Sequence, residues 1–226
     1  MREIFQQELA DIGDDLLALG QRVGHAVDTA TRALQEADLQ LAEEVIDDDR
    51  QIDLIEERIE TACLNVLALQ APVATDLRLV VSAMRMSATL ERMGDLASHV
   101  AYTARARFPH VASSGAMLDV LARMAQEARE ITALLVKLME ERDLELVSRI
   151  HSKDDRLDML LRQVFDLLLV EETPLTRQEL VDAVLLSRFL ERLGDHCVAA
   201  AKRVAYLVTG NLDASALVED PTSTDD

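Results

Sequence analysis

Aromatic residues are scarce in this sequence, making up 3% of its 226 residues, with no tryptophan at all. Sheets are built from aromatic and β-branched runs, so this scarcity argues against strands. Only seven glycines and four prolines are present, few for a chain rich in turns, while Ala, Leu, Glu, Asp and Arg are abundant and favour helices. There are only two cysteines, Cys63 and Cys197, both within apolar helical patterns. That placement excludes a disulfide framework or a CxxC motif and predicts small buried thiols in a reducing compartment. Positive charge is short too: 23 Lys and Arg against 42 Asp and Glu give a net charge of −19. Such a chain repels a phosphate backbone, which argues against nucleic-acid binding, and favours cations or basic patches on partner proteins. Long apolar runs are also missing, and the N-terminus carries Glu3, Glu8, Asp11 and Asp14 where a signal peptide needs an apolar stretch. A soluble, cytosolic protein is expected, with no direct membrane insertion.

What is present is helical periodicity. With 49% hydrophobic residues the chain can fill a real core. Apolar residues recur at alternating spacings of four and three, as in Ile12, Leu16, Leu19, Val23, Ala26, Ala30 and Ala33, and again from Leu79 through Ala83, Met86, Leu90, Met93 and Ala97 to Val100. Pro72, Pro109, Pro174 and Pro221 punctuate these stretches without interrupting them. Six bundle helices follow, over about residues 3–36, 38–69, 73–107, 115–141, 143–171 and 176–209. The apolar-poor residues 211–226 read as an acidic, disordered tail.

The chain repeats itself. Glu91-Arg92-Met93-Gly94-Asp95 recurs 100 residues later as Glu191-Arg192-Leu193-Gly194-Asp195, and Asp49 and Asp53 recur 105 residues later as Asp154 and Asp158. The fold class expected is therefore all-α, two pseudo-symmetric three-helix bundles related by duplication. The domains expected are residues 1–110 and 111–210, with residues 3–107 superposing on 115–210. At about 100° per residue, Asp49 and Asp53 lie to one side of the apolar seam of the second helix, and Glu91 and Asp95 on the same-signed side of the third. In antiparallel neighbours those flanks face one groove; Asp154, Asp158, Glu191 and Asp195 repeat the arrangement.

Acids four residues apart on one helix repel, and facing pairs repel further unless a cation lies between them. Clustered carboxylates are hard oxygen ligands suited to magnesium, manganese or iron, and the lack of Cys-rich motifs counts against structural zinc. The alternative is a solvated acidic face paired with Arg50, Arg92, Arg156 and Arg192. Four pairs in duplicated register favour a site over that alternative.

At these residues the chain resembles the PhoU-like phosphate-signalling accessory proteins. The resemblance spans nearly all of residues 3–210. It is carried by Ala74-Thr75-Asp76-Leu77-Arg78, by Leu90 to Asp95, and by Phe189 to His196 with Tyr206-Leu207-Val208-Thr209-Gly210. It implies two three-helix bundles whose acidic motifs bind metal ions, multinuclear iron or else zinc, manganese or magnesium. The motifs carry over onto Asp49, Asp53, Glu91 and Asp95, and onto Asp154, Asp158, Glu191 and Asp195. It further implies a negative regulator of phosphate uptake and of the phosphate-starvation response. Such a protein is a cytoplasmic homodimer linking the ATPase subunit of the high-affinity phosphate transporter to a membrane sensor histidine kinase, and so associates peripherally with membrane complexes.

The chain departs from the family where an Asn is usual one turn beyond the second acid: His99 and Ala199 stand there. His99, four residues after Asp95, offers an imidazole ligand, although a lone His on an Ala-rich helix is ordinarily packed or solvated. His196 lies about 100° round from Asp195 and reads as a packing or partner contact. Two other classes compete, a carboxylate-bridged metalloenzyme and a purely structural bundle. Neither ExxH motifs, a Walker loop nor a GxSxG elbow occurs, so no enzyme is expected.

Overall fold

The computed structural model describes residues 2–170 and 174–211. It contains α1 (Arg2–Glu36), α2 (Leu39–Gln70), α3 (Ala74–Arg107), α4 (Gly115–Glu141), α5 (Glu145–Leu168) and α6 (Arg177–Thr209). No strand occurs among the described residues, and no helix among them is long and apolar enough to cross a membrane. Of the tail expected over 211–226, all but Asn211 lies outside the described residues.

Local chemistry sets the helix ends. Asp38 caps α2, its carboxylate accepting from the backbone N–H of Gln40 and Leu41 at 2.8 and 3.0 Å. Thr176 and Glu179 form a reciprocal capping box at the start of α6. α2 ends in the left-handed turn of Ala71, directly before Pro72. α5 is shorter than its pattern, beginning at Glu145 and ending at Leu168 where the sequence suggested 143–171. Asp143 instead accepts from the Glu145 N–H at 3.0 Å and stays outside the helix.

Each half forms an antiparallel three-helix bundle, α1–α3 and α4–α6. The expected seams are its core: Ile12, Leu19, Val23, Ala30 and Ala33 of α1 are essentially inaccessible, as are Met86, Leu90, Met93, Ala97 and Val100 of α3. Both thiols are buried and free, as their setting in the sequence suggested. Loss of solvation pushes the Cys63 thiol up to about 11 and that of Cys197 to about 12, so neither is reactive near neutrality.

What the periodicity did not reveal is that the two halves share one interior. α1 packs against α4 and α3 against α6, and the buried apolar residues form a single contiguous cluster. On the first contact α1 comes so close that a Cβ added to Gly20 would stand 2.8 Å from Met139 Cε. Beside it Gln21 donates to Glu140 at 2.7 Å. On the second, Arg107 makes a two-pronged ion pair with Asp182, the His99 ring stacks on Phe189 at 5.1 Å, and the Arg78 guanidinium lies over the Tyr206 ring. α3 and α6 therefore run antiparallel along the centre of the molecule, each carrying one copy of the acidic motif.

Candidate functional site

The first acidic groove lies between α2 and α3. Ile52 of α2 sits against Gly94 of α3, where an added Cβ would meet its Cδ1 at 2.9 Å. The helices are thus held close enough for the acids flanking that contact to feel one another. Burial pushes the Asp49 carboxyl up; the Ser98 hydroxyl beside it opposes the shift, while Asp53 and Asp95 add to it. Glu91 is raised by burial and by Asp95, against the Arg92 guanidinium, with Asp53 and Glu56 adding to the rise. Asp49, Asp53, Glu91 and Asp95 thus lie near enough along the α2–α3 contact for their charges to act on one another.

The second groove, between α5 and α6, brings together Asp154, Asp158, Glu191 and Asp195. Here an added Cβ on Gly194 would lie 2.5 Å from Oδ1 of Asp154 and 2.8 Å from Leu157 Cδ1. Asp154 is raised to about 6 by burial first, then by the charges of Asp195, Asp158, Asp155 and Glu191. Val198 stands where the first half has Ser98, so no hydroxyl holds the Asp154 carboxyl down. Glu191 is raised by burial, against Arg188, whose guanidinium donates to its Oε1 at 3.1 Å. The other oxygen, Oε2 of Glu191, is buried with no hydrogen-bond partner among the described residues.

The arginines divide between the two readings. Arg92 lies 3.0 Å from Asp95 and 3.5 Å from Glu91, as ordinary surface pairing would have it. Arg156 turns instead to Glu127 of α4, at 3.6 Å. Arg50 and Arg192 make no ion pair among the described residues. Among those residues, no three His, Cys, Asp or Glu side chains converge as a ready-made ligand set. The carboxylates line a groove and do not yet surround a point.

His99 is turned away from α2. Its ring stacks on Phe189 of α6, and only its charge reaches Asp49, as the weakest influence on that acid. His196 is half-buried between the halves; burial and then Arg192 push its imidazole below the usual range.

One acid escaped the sequence reading. Glu56 of α2 is raised by burial and by Glu60, Glu57 and Asp53, and acts in turn on Glu91. It stands three residues after Asp53, on the same flank, so helical spacing alone pointed to it. It was missed because the repeat served as the filter, and its counterpart 105 residues later is Leu161. The first groove therefore carries five acids, Asp49, Asp53, Glu56, Glu91 and Asp95; in the second, the place of Glu56 is taken by the apolar Leu161.

The PhoU domain model matches the chain twice, over residues 16–104 and 121–204, once in each bundle. A phosphate-specific transport system accessory protein, PhoU homolog 1, of Mycobacterium leprae is 39% identical over 211 residues, covering 93% of this chain and 95% of that protein. PhoU homolog 2 of Mycobacterium tuberculosis is 40% identical over 210 residues, 93% of this chain and 99% of its own length. Among solved structures, PhoU from Pseudomonas aeruginosa aligns with a TM-score of 0.81 at 30% identity, over 92% of this chain and all of the other. The phosphate transport system regulatory protein PhoU from Streptococcus pneumoniae aligns with a TM-score of 0.80 at 26% identity, over 92% and 98% of the two chains.

Proposed function

The chain belongs to the PhoU family, and from that premise we propose that it is a non-enzymatic negative regulator of phosphate uptake and of the phosphate-starvation response. In this reading it is cytoplasmic. It links the ATPase subunit of the high-affinity phosphate transporter to a membrane sensor histidine kinase, as a homodimer held at the membrane through those partners. The observation that supports a presenting surface over a catalytic cavity is that each acidic set lies along an open helix flank, with Asp53 and Asp195 exposed.

We propose further that the grooves hold metal ions. The donor set fits a hard cation: all eight predicted ligands are carboxylates, and four of them, Asp49, Glu91, Asp154 and Glu191, are raised first by burial and then by neighbouring acids whose repulsion a cation would relieve. The unpartnered Oε2 of Glu191 is a buried acceptor that a cation would satisfy. Asp49, Asp53, Glu91 and Asp95 would hold one set, with Glu56 at its end, and Asp154, Asp158, Glu191 and Asp195 the other. Bound metal would supply positive charge that draws the two helices of each groove together. Since no three acids converge as the side chains stand, binding requires carboxylates to rotate inward.

The regulatory reading is tested in a strain lacking this chain and carrying a reporter for phosphate-starvation genes. Derepression in high phosphate, reversed by the restored chain, is expected. Co-purification with the transporter ATPase from phosphate-replete cells is expected as well. Unchanged reporter expression in the deletion strain would overturn the reading.

A further inference from the structure

Between α3 and α6, beginning one turn beyond Asp195 at Ala199, lies a surface groove of about 720 Å³. Met84, Ala88 and Ala199 form its apolar floor, and Arg85, Lys202 and Arg203 bring three cationic side chains to it. That volume falls in the range of about 300–1,000 Å³ typical of small-molecule sites.

The charge arrangement is unusual for this chain. Acids outnumber bases by 42 to 23, yet Arg85, Lys202 and Arg203 make no ion pair with any described residue. Three like charges gathered in one concavity repel one another, and the repulsion is relieved by an anion between them. The duplication does not require them. One hundred residues away, the counterparts at the opposite end of the α3–α6 contact are Leu185, Tyr102 and Thr103. The same helical scaffold is therefore built there without these three cations, and the arginine it carries at the place of Ala88, Arg188, is paired with Glu191 at 3.1 Å.

We propose that this groove binds a small phosphate-bearing anion, with its phosphate oxygens on Arg85, Arg203 and Lys202. Arginine presents a planar fork of donors that matches phosphate in two-pronged fashion, and lysine adds a point charge. Inorganic phosphate satisfies the cations but leaves most of the groove empty. A nucleotide fills it, laying its apolar part on Met84, Ala88 and Ala199. The site lies at the seam between the two bundles, contacting one helix of each, so a bound anion bridges the halves. The proposal rests on this geometry and stands apart from the regulatory reading.

Titration calorimetry on the full chain, with inorganic phosphate, AMP and ATP as separate probes, tests it. Binding of at least one probe is expected, weakening as salt rises. The double variant Arg85→Ala/Arg203→Ala is expected to lose at least tenfold in affinity, while Arg162→Ala, an exposed arginine elsewhere on α5, leaves it unchanged. Affinity rising from phosphate through AMP to ATP identifies a nucleotide as the source of the phosphate. Equal affinity for phosphate and ATP identifies the free anion. Circular dichroism establishes that the double variant is folded, and Arg85→Lys, which keeps the charge, is expected to recover part of the loss. The proposal is overturned if none of the three binds at millimolar concentration in low salt, or if the double variant binds as the wild type does.

Discussion

Asp154 and Gly194 meet across the α5–α6 contact: a Cβ added at Gly194 would stand 2.5 Å from the Asp154 carboxylate. The glycine of the repeated motif is thus the seat of its own acidic partner. Gly194→Ala is expected to push the Asp154 carboxylate and the Leu157 tip away and to destabilise the protein by about 1–3 kcal/mol, the usual range for overpacking. Gly94→Ala meets only the Ile52 side chain and should cost less. Urea unfolding of both variants measures the difference; equal losses would show that the Asp154 contact has no special weight.

The raised Asp154 carboxyl carries a pH signature. Its native value of about 6 lies above its ordinary 3.8, so the folded state holds this proton more tightly than the unfolded state does. The stabilisation by that proton is present at low pH and is lost as pH rises through about 6. Asp154→Asn removes the titration. In chelator-treated protein the variant is expected to be more stable than wild type at pH 8, the gap closing towards pH 5. Urea unfolding across that range checks it, and a gap that widens on acidification would contradict the sign.

Metal should raise the melting temperature, since a ligand bound only by the native state stabilises it by RT ln(1 + [L]/Kd). Glu91→Gln with Asp95→Asn preserves side-chain size and removes two charges, so it should abolish the shift from the first groove while slightly raising metal-free stability. If the acids are ordinary partners of Arg92, neutralising them costs at most about 1 kcal/mol and both proteins respond alike to metal. Calorimetric scans with Mn²⁺, Fe³⁺ and Zn²⁺ separate these outcomes.

Arg107 and Asp182 tie α3 to α6, the carboxylate being almost wholly buried and also accepting from Gln178 at 3.0 Å. Arg107→Ala leaves that charge without its cation and is expected to cost about 3–5 kcal/mol, whereas replacing both partners by apolar residues costs much less. Denaturant unfolding of the single and double variants measures this. A double variant as unstable as the single one would show that the pair contributes more than charge compensation.

How the seam polar residues pair shows the limit of reading the repeat. Asp48 and Lys153 are equivalents, 105 residues apart, each at a polar step in an otherwise apolar seam. Each pairs with the first helix of its own bundle, Asp48 with Arg22 and Lys153 with Glu127, and Arg22 and Glu127 are themselves 105 residues apart. The duplication conserved the ion pair and reversed its polarity. Periodicity marked both positions as facing inward but carried no statement of what they would face.

Helices and the shared flank of the acids were legible in the chain alone, because each depends on residues within a few turns of one another, and the duplication was legible as a repeated motif. Repetition then showed that Asp49, Asp53, Glu91 and Asp95 formed a pattern, since Asp154, Asp158, Glu191 and Asp195 recreated it at the same register. Three features came from tertiary structure: the single interior that joins the bundles, the turn of His99 onto Phe189, and the basic groove at one end of the α3–α6 contact. These rest on contacts between helices distant in sequence. Which faces meet there is set by packing the whole core at once, and a pattern confined to one helix holds no record of its neighbour.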